Sequence, residues 1–236
     1  MKKLSDKIKG VFLIAIISFL VFSCKKNETQ KTASAPNQYY SYFPLKVGNT
    51  YIYRIDSLKY NLFAGKYDST TSYLKEVIDS PFIDNAGETA FKVLRYWARD
   101  TLKGWASIHT WTAKRNGQMA ETWEENIRYV KMMFPVALSK SWNGNLYNTI
   151  DSFREYNYNY SEVNKSFTMP YYWVKYDSTT LVEEINWLDS LERIIKRDRY
   201  ATGIGLIYRE DMDTDWTGKT HRGDNYFSKQ YLIRFY

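Results

Sequence analysis

Tyr51-Ile52-Tyr53-Arg54-Ile55-Asp56 decides the fold class. Successive side chains of an extended chain point to opposite faces. Tyr51, Tyr53 and Ile55 then share a core face, while Arg54 and Asp56 meet water. A strand apolar on one side and wet on the other belongs to an antiparallel sheet. Phe91 and Val93 repeat the pattern around Lys92 within 88–98, and the stretches 106–113, 171–176, 204–209 and 231–236 read alike. Turn formers fall between these runs. Asp84-Asn85-Ala86-Gly87 and Arg115-Asn116-Gly117 are hairpin candidates. Asp-Ser occurs at 56–57, 68–69, 79–80, 151–152, 177–178 and 189–190, where both side chains can close a turn on nearby amides. The chain holds 22 Tyr and 8 Trp, residues that favour strands and suit a half-wet face. The expected fold is mainly β: one antiparallel domain, as a curved sheet, barrel or sandwich. Only 180–199 reads two ways, as a helix or as two strands turning at Asp189-Ser190.

Two segments echo each other. Phe43-Pro44-Leu45-Lys46-Val47-Gly48-Asn49-Thr50-Tyr51 and Phe134-Pro135-Val136-Ala137-Leu138-Ser139-Lys140-Ser141-Trp142 share Phe-Pro, two spaced aliphatic residues, a hydroxyl residue and a closing aromatic. Proline cannot donate to a ladder, so each copy should precede a strand. The match allows two related halves, near 43–133 and 134–236.

The N-terminus is of another kind. Lys2, Lys3, Lys7 and Lys9 precede an apolar run from Val11 to Phe22, broken only by Ser18. That run is too short for a spanning helix, which needs ~20 residues. A basic head, a short apolar stretch and a small residue before a cut mark a secretory signal. Val21-Phe22-Ser23-Cys24 resembles the cleavage motif of bacterial lipoproteins, although Leu is commoner at the place of Val21 and a small residue at that of Phe22. The resemblance implies a signal peptide over 1–23 and lipid on Cys24. Cys24 is the chain's only cysteine, so neither a disulfide nor a cysteine metal site is available. Residues 24–38 read as a lipidated cysteine with a flexible tether, and 39–236 as the β domain. The 14 residues after Cys24 could reach ~45 Å when extended.

Charge argues against nucleic acid as a partner. The formal net charge is +7. Removing 1–23 takes four Lys and one Asp, and the tether holds Lys25, Lys26 and Lys31 against Glu28. The β domain is left near +2, too weak a field for polyanion binding.

Tyr42-Phe43-Pro44-Leu45-Lys46-Val47-Gly48-Asn49-Thr50-Tyr51-Ile52-Tyr53 is similar to the opening of a group of lipoproteins from Bacteroidetes-type bacteria, whose shared pattern is Pro-Leu-Lys-x-Gly-Asn-x-aromatic-x-Tyr. The segment Tyr200–Glu210 resembles a later strand of that group. The resemblance implies a cell-envelope lipoprotein, held at the outer membrane on its periplasmic or its outer face. It implies no activity.

No catalytic set is visible. A nucleophile needs a base and an orienting group, and the histidines are two, His109 and His221, with no Gly-x-Ser-x-Gly elbow. Gly203-Ile204-Gly205 suggests a bulge or a close backbone approach rather than a phosphate loop. Glu121, Glu124 and Glu125 surround Trp123, and paired carboxylates beside an aromatic can cleave a glycoside. Asp211, Asp213 and Asp215 alternate, so on a loop they could converge on a hard cation, although Trp216 and Arg222 break the helix–loop–helix calcium pattern. Arg222-Gly223-Asp224 reads as a turn. No cofactor is expected.

The leading expectation is a non-catalytic envelope lipoprotein that binds a partner protein or supports an assembly. A second is a carrier of a lipid or amphiphile, which requires an apolar cavity. A third is glycan binding through exposed rings, with Trp105, Trp111, Trp123 and Trp142 as candidates.

Overall fold

The computed structural model describes residues 39–61, 63–148, 157–188, 190, 192–215 and 225–236. The segment 1–38 with Cys24, together with His221, Arg222-Gly223-Asp224 and the Asp151-Ser152 pair, lies outside them. After a short 3-10 turn at Tyr39–Tyr42 come twelve strands: β1 (Thr50–Asn61), β2 (Lys66–Ile83), β3 (Thr89–Ala98), β4 (Ala106–Arg115), β5 (Met119–Glu124), β6 (Ile127–Met133), β7 (Ser141–Asn143), β8 (Asn157–Thr168), β9 (Lys175–Leu188), β10 (Glu192–Ala201), β11 (Gly205–Asp215) and β12 (Tyr226–Phe235). They form one antiparallel sheet in the order β6-β5-β4-β3-β2-β1-β12-β11-β10-β9-β8-β7. Every pair joins chain neighbours except β1–β12, where the two ends of the domain meet. Thr50 and Tyr236 exchange both backbone bonds there, at 2.8 and 3.2 Å. Six strands precede Phe134-Pro135 and six follow it, and both Phe-Pro segments lie just before a strand.

The edge strands β6 and β7 are brought together by a backbone bond and by side chains standing in for the rest of a ladder. Val130 donates its N–H to Gly144 O at 2.8 Å and accepts the Trp142 indole N–H at 2.8 Å. The Asn148 amide copies a peptide group. Its Nδ2 donates to Arg128 O at 2.6 Å, and its Oδ1 accepts from Arg128 N at 3.2 Å. Tyr160 Oη does the same for Met133, accepting from N at 3.1 Å and donating to O at 2.9 Å. An open edge is a pairing hazard, and this seam blunts it by turning a sheet into a nearly closed barrel. Trp142→Phe keeps most of the packing but removes one buried donor. The expected loss is about 1–2 kcal/mol, read as a lowered urea midpoint with an unchanged slope.

Residues opposite each other in an antiparallel pair share a face. Tyr53 lies opposite Leu74 and Leu232, and Ile78 opposite Val93. With Tyr51 and Ala113 they form one inner cluster, as the alternation at 51–56 predicts. A second cluster gathers Tyr42, Val130, Met132, Trp142, Tyr158, Tyr160, Val182 and Tyr200. Buried side chains of this size contribute roughly 1.5–3 kcal/mol each. The buried Tyr53 hydroxyl keeps a partner, donating to Leu206 O at 3.1 Å.

Four expectations are sharpened or corrected. Residues 180–199 are the strands β9 and β10 rather than a helix. Four Asp-Ser pairs, 56–57, 68–69, 79–80 and 177–178, lie inside strands instead of turns. Asp56 is satisfied across the sheet, accepting from Arg54 Nε at 2.9 Å and Thr71 Oγ1 at 2.8 Å, so it has no need to close a turn on its own backbone. Within 171–176, residues 171–174 form the β8–β9 loop, and the strand begins at Lys175. Gly203-Ile204 lies in the β10–β11 turn and Gly205 opens β11, where a Cβ would stand 3.4 Å from Pro44 Cδ.

Two hairpins outgrow their neighbours. β2 runs past the start of β1, shifts register between Ile78 and Pro81, and carries the turn at Asp84–Gly87. Proline suits such a bulge because no ladder bond is asked of it. β8 and β9 shift register three times. Bulges bend a strand pair, and both hairpins leave the sheet at the end where the described chain begins.

Candidate functional site

The overhanging β2–β3 hairpin makes one wall of a cleft of about 750 Å³. Strands β4 and β5 and the β5–β6 turn make the rest. Lys114 is its buried floor, 2.8 Å from Asp84 Oδ2 and 2.6 Å from Glu88 Oε2 of the hairpin. Burial alone would lower the Lys114 ammonium, but the bonds to Asp84 and Glu88 outweigh it and hold the ammonium above its usual value. The same bonds lower both carboxyls. All three therefore stay charged near neutrality.

Lys114 faces Glu121 across the β4–β5 pair. Glu121 is buried and accepts from Arg128 Nε and NH2 at 2.9 and 3.1 Å. The Arg128 guanidinium lies between two rings, 4.8 Å from the Trp123 centroid and 3.6 Å from that of Tyr147. At the other end, Glu125 and Asn126 turn the chain with φ of 52° and 74°, a two-residue turn of the kind that matches strand twist. Glu125 Oε1 lies 2.7 Å from His109 Nδ1 and accepts the Trp111 indole N–H at 3.4 Å. Arg95 stacks 3.3 Å from the Trp111 centroid. The cleft thus offers two half-exposed indoles, Asn85 and Asn126, the ion-paired Lys114 and Arg128, and several carboxylates as acceptors.

Of the four tryptophans singled out in the sequence, Trp111 and Trp123 both border the cleft, Trp111 also packing against the inner cluster and lining the inner cavity. Trp105 lies elsewhere, 5.0 Å below Lys75 Nζ. The expectation that Trp142 stands on an exposed row is not met. It is 8% exposed, because its ring and N–H are spent on the seam. Glu121 and Glu124 sit three apart on one strand and so face opposite ways, while Glu125 is in the turn. These three carboxylates do not converge. Asp211 and Asp213 lie in β11 rather than a loop, where alternate residues are roughly 7 Å apart. Burial raises the Asp211 carboxyl, with Lys196 3.8 Å away. The side chain of Asp215 is outside the described residues. Among the described residues no group of three His, Cys, Asp or Glu is placed to hold a metal.

The barrel interior holds what the sequence did not suggest. Lys131 lies 2.8 Å from Glu184 and 3.5 Å from Glu124. Arg209 clasps Asp198 with two bonds, at 2.7 and 2.6 Å, and Tyr200 Oη donates to Asp198 at 3.1 Å. Three carboxylates share two cations. Burial raises Asp198, but Arg209 outweighs it and the carboxyl is lowered. Burial likewise raises Glu124, and Lys131 with Arg209 turns the balance downward. Glu184 is left with the raised value, burial being the largest cause. A raised folded-state carboxyl adds stability that is complete below the unfolded value of ~4.3 and is lost as pH climbs through the folded value. Glu184→Gln, which carries no proton to lose, should flatten that fall. Urea midpoints of both chains between pH 4 and pH 8 check it; parallel curves would refute the assignment.

A cavity of about 100 Å³ remains on the inner side beside Phe43, Tyr51, Tyr53 and Tyr200, with Glu76, Glu124, Lys131 and Arg209 on its wall. A second, of about 190 Å³, is lined by the charged groups around Asp198. Pockets for organic ligands run from about 300 to 1,000 Å³. The outer cleft falls in that range and the inner spaces do not.

No family model matches the chain, and no curated protein matches it. Among solved structures it is similar to a Bacteroides fragilis protein described as exported and as having a YmcC-like fold. That likeness has 13% identity and a TM-score of 0.41, covering 82% of this chain and 98% of the other. It is also similar to a Parabacteroides distasonis protein described as a lipoprotein, at 9% identity and a TM-score of 0.45, covering 83% and 98%.

Proposed function

We propose that this chain is a lipid-anchored protein of the cell envelope, held at the outer membrane through Cys24, whose barrel binds a short glycan in the outer cleft without converting it. The observation that carries the ligand class is the meeting of Trp111 and Trp123 with carboxylates and amides in a cleft of about 750 Å³. Sugar rings present C–H faces to indoles and hydroxyls to acceptors. Ionised Asp84 and Glu88 suit the hydroxyls. Glu121 and Glu124 face opposite ways, and Asp84 and Glu88, though close together on Lys114, are both held ionised, so neither is raised to serve as the acid that glycoside hydrolysis needs. An amphiphile carrier is disfavoured, because the inner side is filled by rings and paired charges.

The anchor reading rests on the basic head, the short apolar run and a lone cysteine at its end. Mass measurement of the chain recovered from envelopes tests it: a new N-terminus at Cys24 carrying lipid is expected, and an unmodified Cys24 would overturn it. A glycan array probed with the chain from Cys24 onward tests the ligand. Retained, uncleaved oligosaccharides are expected. An array with no signal, or one whose sugars are shortened, would overturn it.

A further inference from the structure

The β8–β9 loop presents Tyr171-Tyr172-Trp173-Val174 to solvent. Tyr171 is 73% exposed, Trp173 82% and Val174 49%. Four adjoining large side chains left in solvent on one short loop need an occupant. The loop is held in shape. Tyr171 and Trp173 have φ of 68° and 55°, a region bulky L residues rarely adopt. Trp173 N donates to Met169 O at 3.1 Å, and Met169 N to Val174 O at 2.8 Å. Met169 is buried, and the Tyr171 ring meets Tyr231 edge-on at 5.7 Å.

The chain's own geometry says what lies nearby. The described chain begins at Tyr39, and Tyr42 Oη is bonded to both strands of this hairpin, 2.6 Å from Asn164 Oδ1 and 2.9 Å from Ser178 Oγ. Trp173 is five residues beyond Ser178, at most ~17 Å of chain. The described chain therefore starts on the side of the barrel that carries the aromatic loop. Trp and Tyr are the residues that settle at a bilayer's polar–apolar boundary. Lys165 is exposed on the same hairpin, and Lys175, also exposed, lies 3.4 Å from Asp177; both ammonium groups can reach anionic head groups.

We infer that the 171–174 loop is a membrane-contact surface that dips Trp173 into the lipid interface and so sets which face of the barrel the tether turns to the bilayer. The inference rests on the proposed anchoring at Cys24, and its test keeps the two apart. The chain from Cys24 onward is coupled through that cysteine, its only one, to a maleimide lipid in phosphatidylethanolamine–phosphatidylglycerol vesicles. Tryptophan emission is compared with and without bromine on the acyl chains. Trp187, at the opposite end of β9, serves as the control. Bromine should quench the wild-type chain and Trp187→Phe equally, and Trp173→Phe at least twofold less. Equal quenching of all three chains, or quenching of none, would overturn the inference. This arm gives its answer whether or not cells lipidate Cys24, which the mass measurement decides separately. Trp173 is too exposed for its replacement to endanger folding.

Discussion

Arg209→Met should cost the barrel about 3–5 kcal/mol, the range for removing one partner of a buried ion pair. Arg209 satisfies both oxygens of Asp198, a carboxylate 1% exposed as a residue. Without it, only the Tyr200 hydroxyl remains on that carboxylate among the bonds described. Folded domains are stable by about 5–15 kcal/mol in all, so such a loss removes a large part of the margin. The unpaired Asp198 must then take up a proton, which moves the remaining stability towards acid pH. Replacing Asp198 by Leu in the same chain should recover most of the loss, because an apolar pair of similar volume often does as well as the ion pair. Urea unfolding of the single and double variants checks both statements. Equal midpoints for wild type and Arg209→Met would show that the clasp contributes nothing.

Gly144→Ala should be comparably damaging for a different reason. A Cβ on Gly144 would stand 2.3 Å from Tyr158 Cζ and 2.5 Å from both Cε atoms. Tyr158 is buried and packs edge-on against Trp142, so its ring has nowhere to go. The backbone at 144 must move instead, and its carbonyl is the acceptor for Val130 N–H across the seam. Overpacking of a tight core typically costs about 1–3 kcal/mol, and a lost buried backbone bond adds roughly 1–3 more. Hydrogen exchange should show the result locally. The Val130 and Arg128 amides should lose protection before those of β1, β2 and β12. Uniform loss across all strands would contradict a seam that opens on its own.

Much of the sheet was legible in the sequence. Tyr51, Tyr53 and Ile55 point inward because one antiparallel face is wet, and Asp84–Gly87 turns because Gly87 can take a φ of 76°. The interior charges were not legible, and Ile207 explains why. Arg199 pairs with Tyr208 but Tyr200 with Leu206, so Ile207 is an extra residue that shifts the phase of β11. Counting alternation through it puts Arg209 in water, whereas the bulge turns it inward to Asp198. The cleft was half legible. Aromatic composition marked Trp111 and Trp123, but the wall that makes a cleft beside them comes from the bulged β2–β3 hairpin, whose Asp84 and Glu88 reach Lys114. Trp142 reads like the others in sequence and differs only because its strand lies at the seam, a matter of topology rather than of neighbouring residues.

On the proposed function, the outer cleft holds a sugar through its indoles. The direct measurement is calorimetric titration of an oligosaccharide retained on the array into the wild-type chain, Trp123→Ala and Trp105→Ala. Losing a central aromatic contact costs at least ~1.4 kcal/mol, a tenfold change in Kd. Trp123→Ala should weaken binding tenfold or more at an unchanged far-ultraviolet spectrum, and Trp105→Ala should leave Kd within twofold. Equal affinity in all three chains would contradict the account.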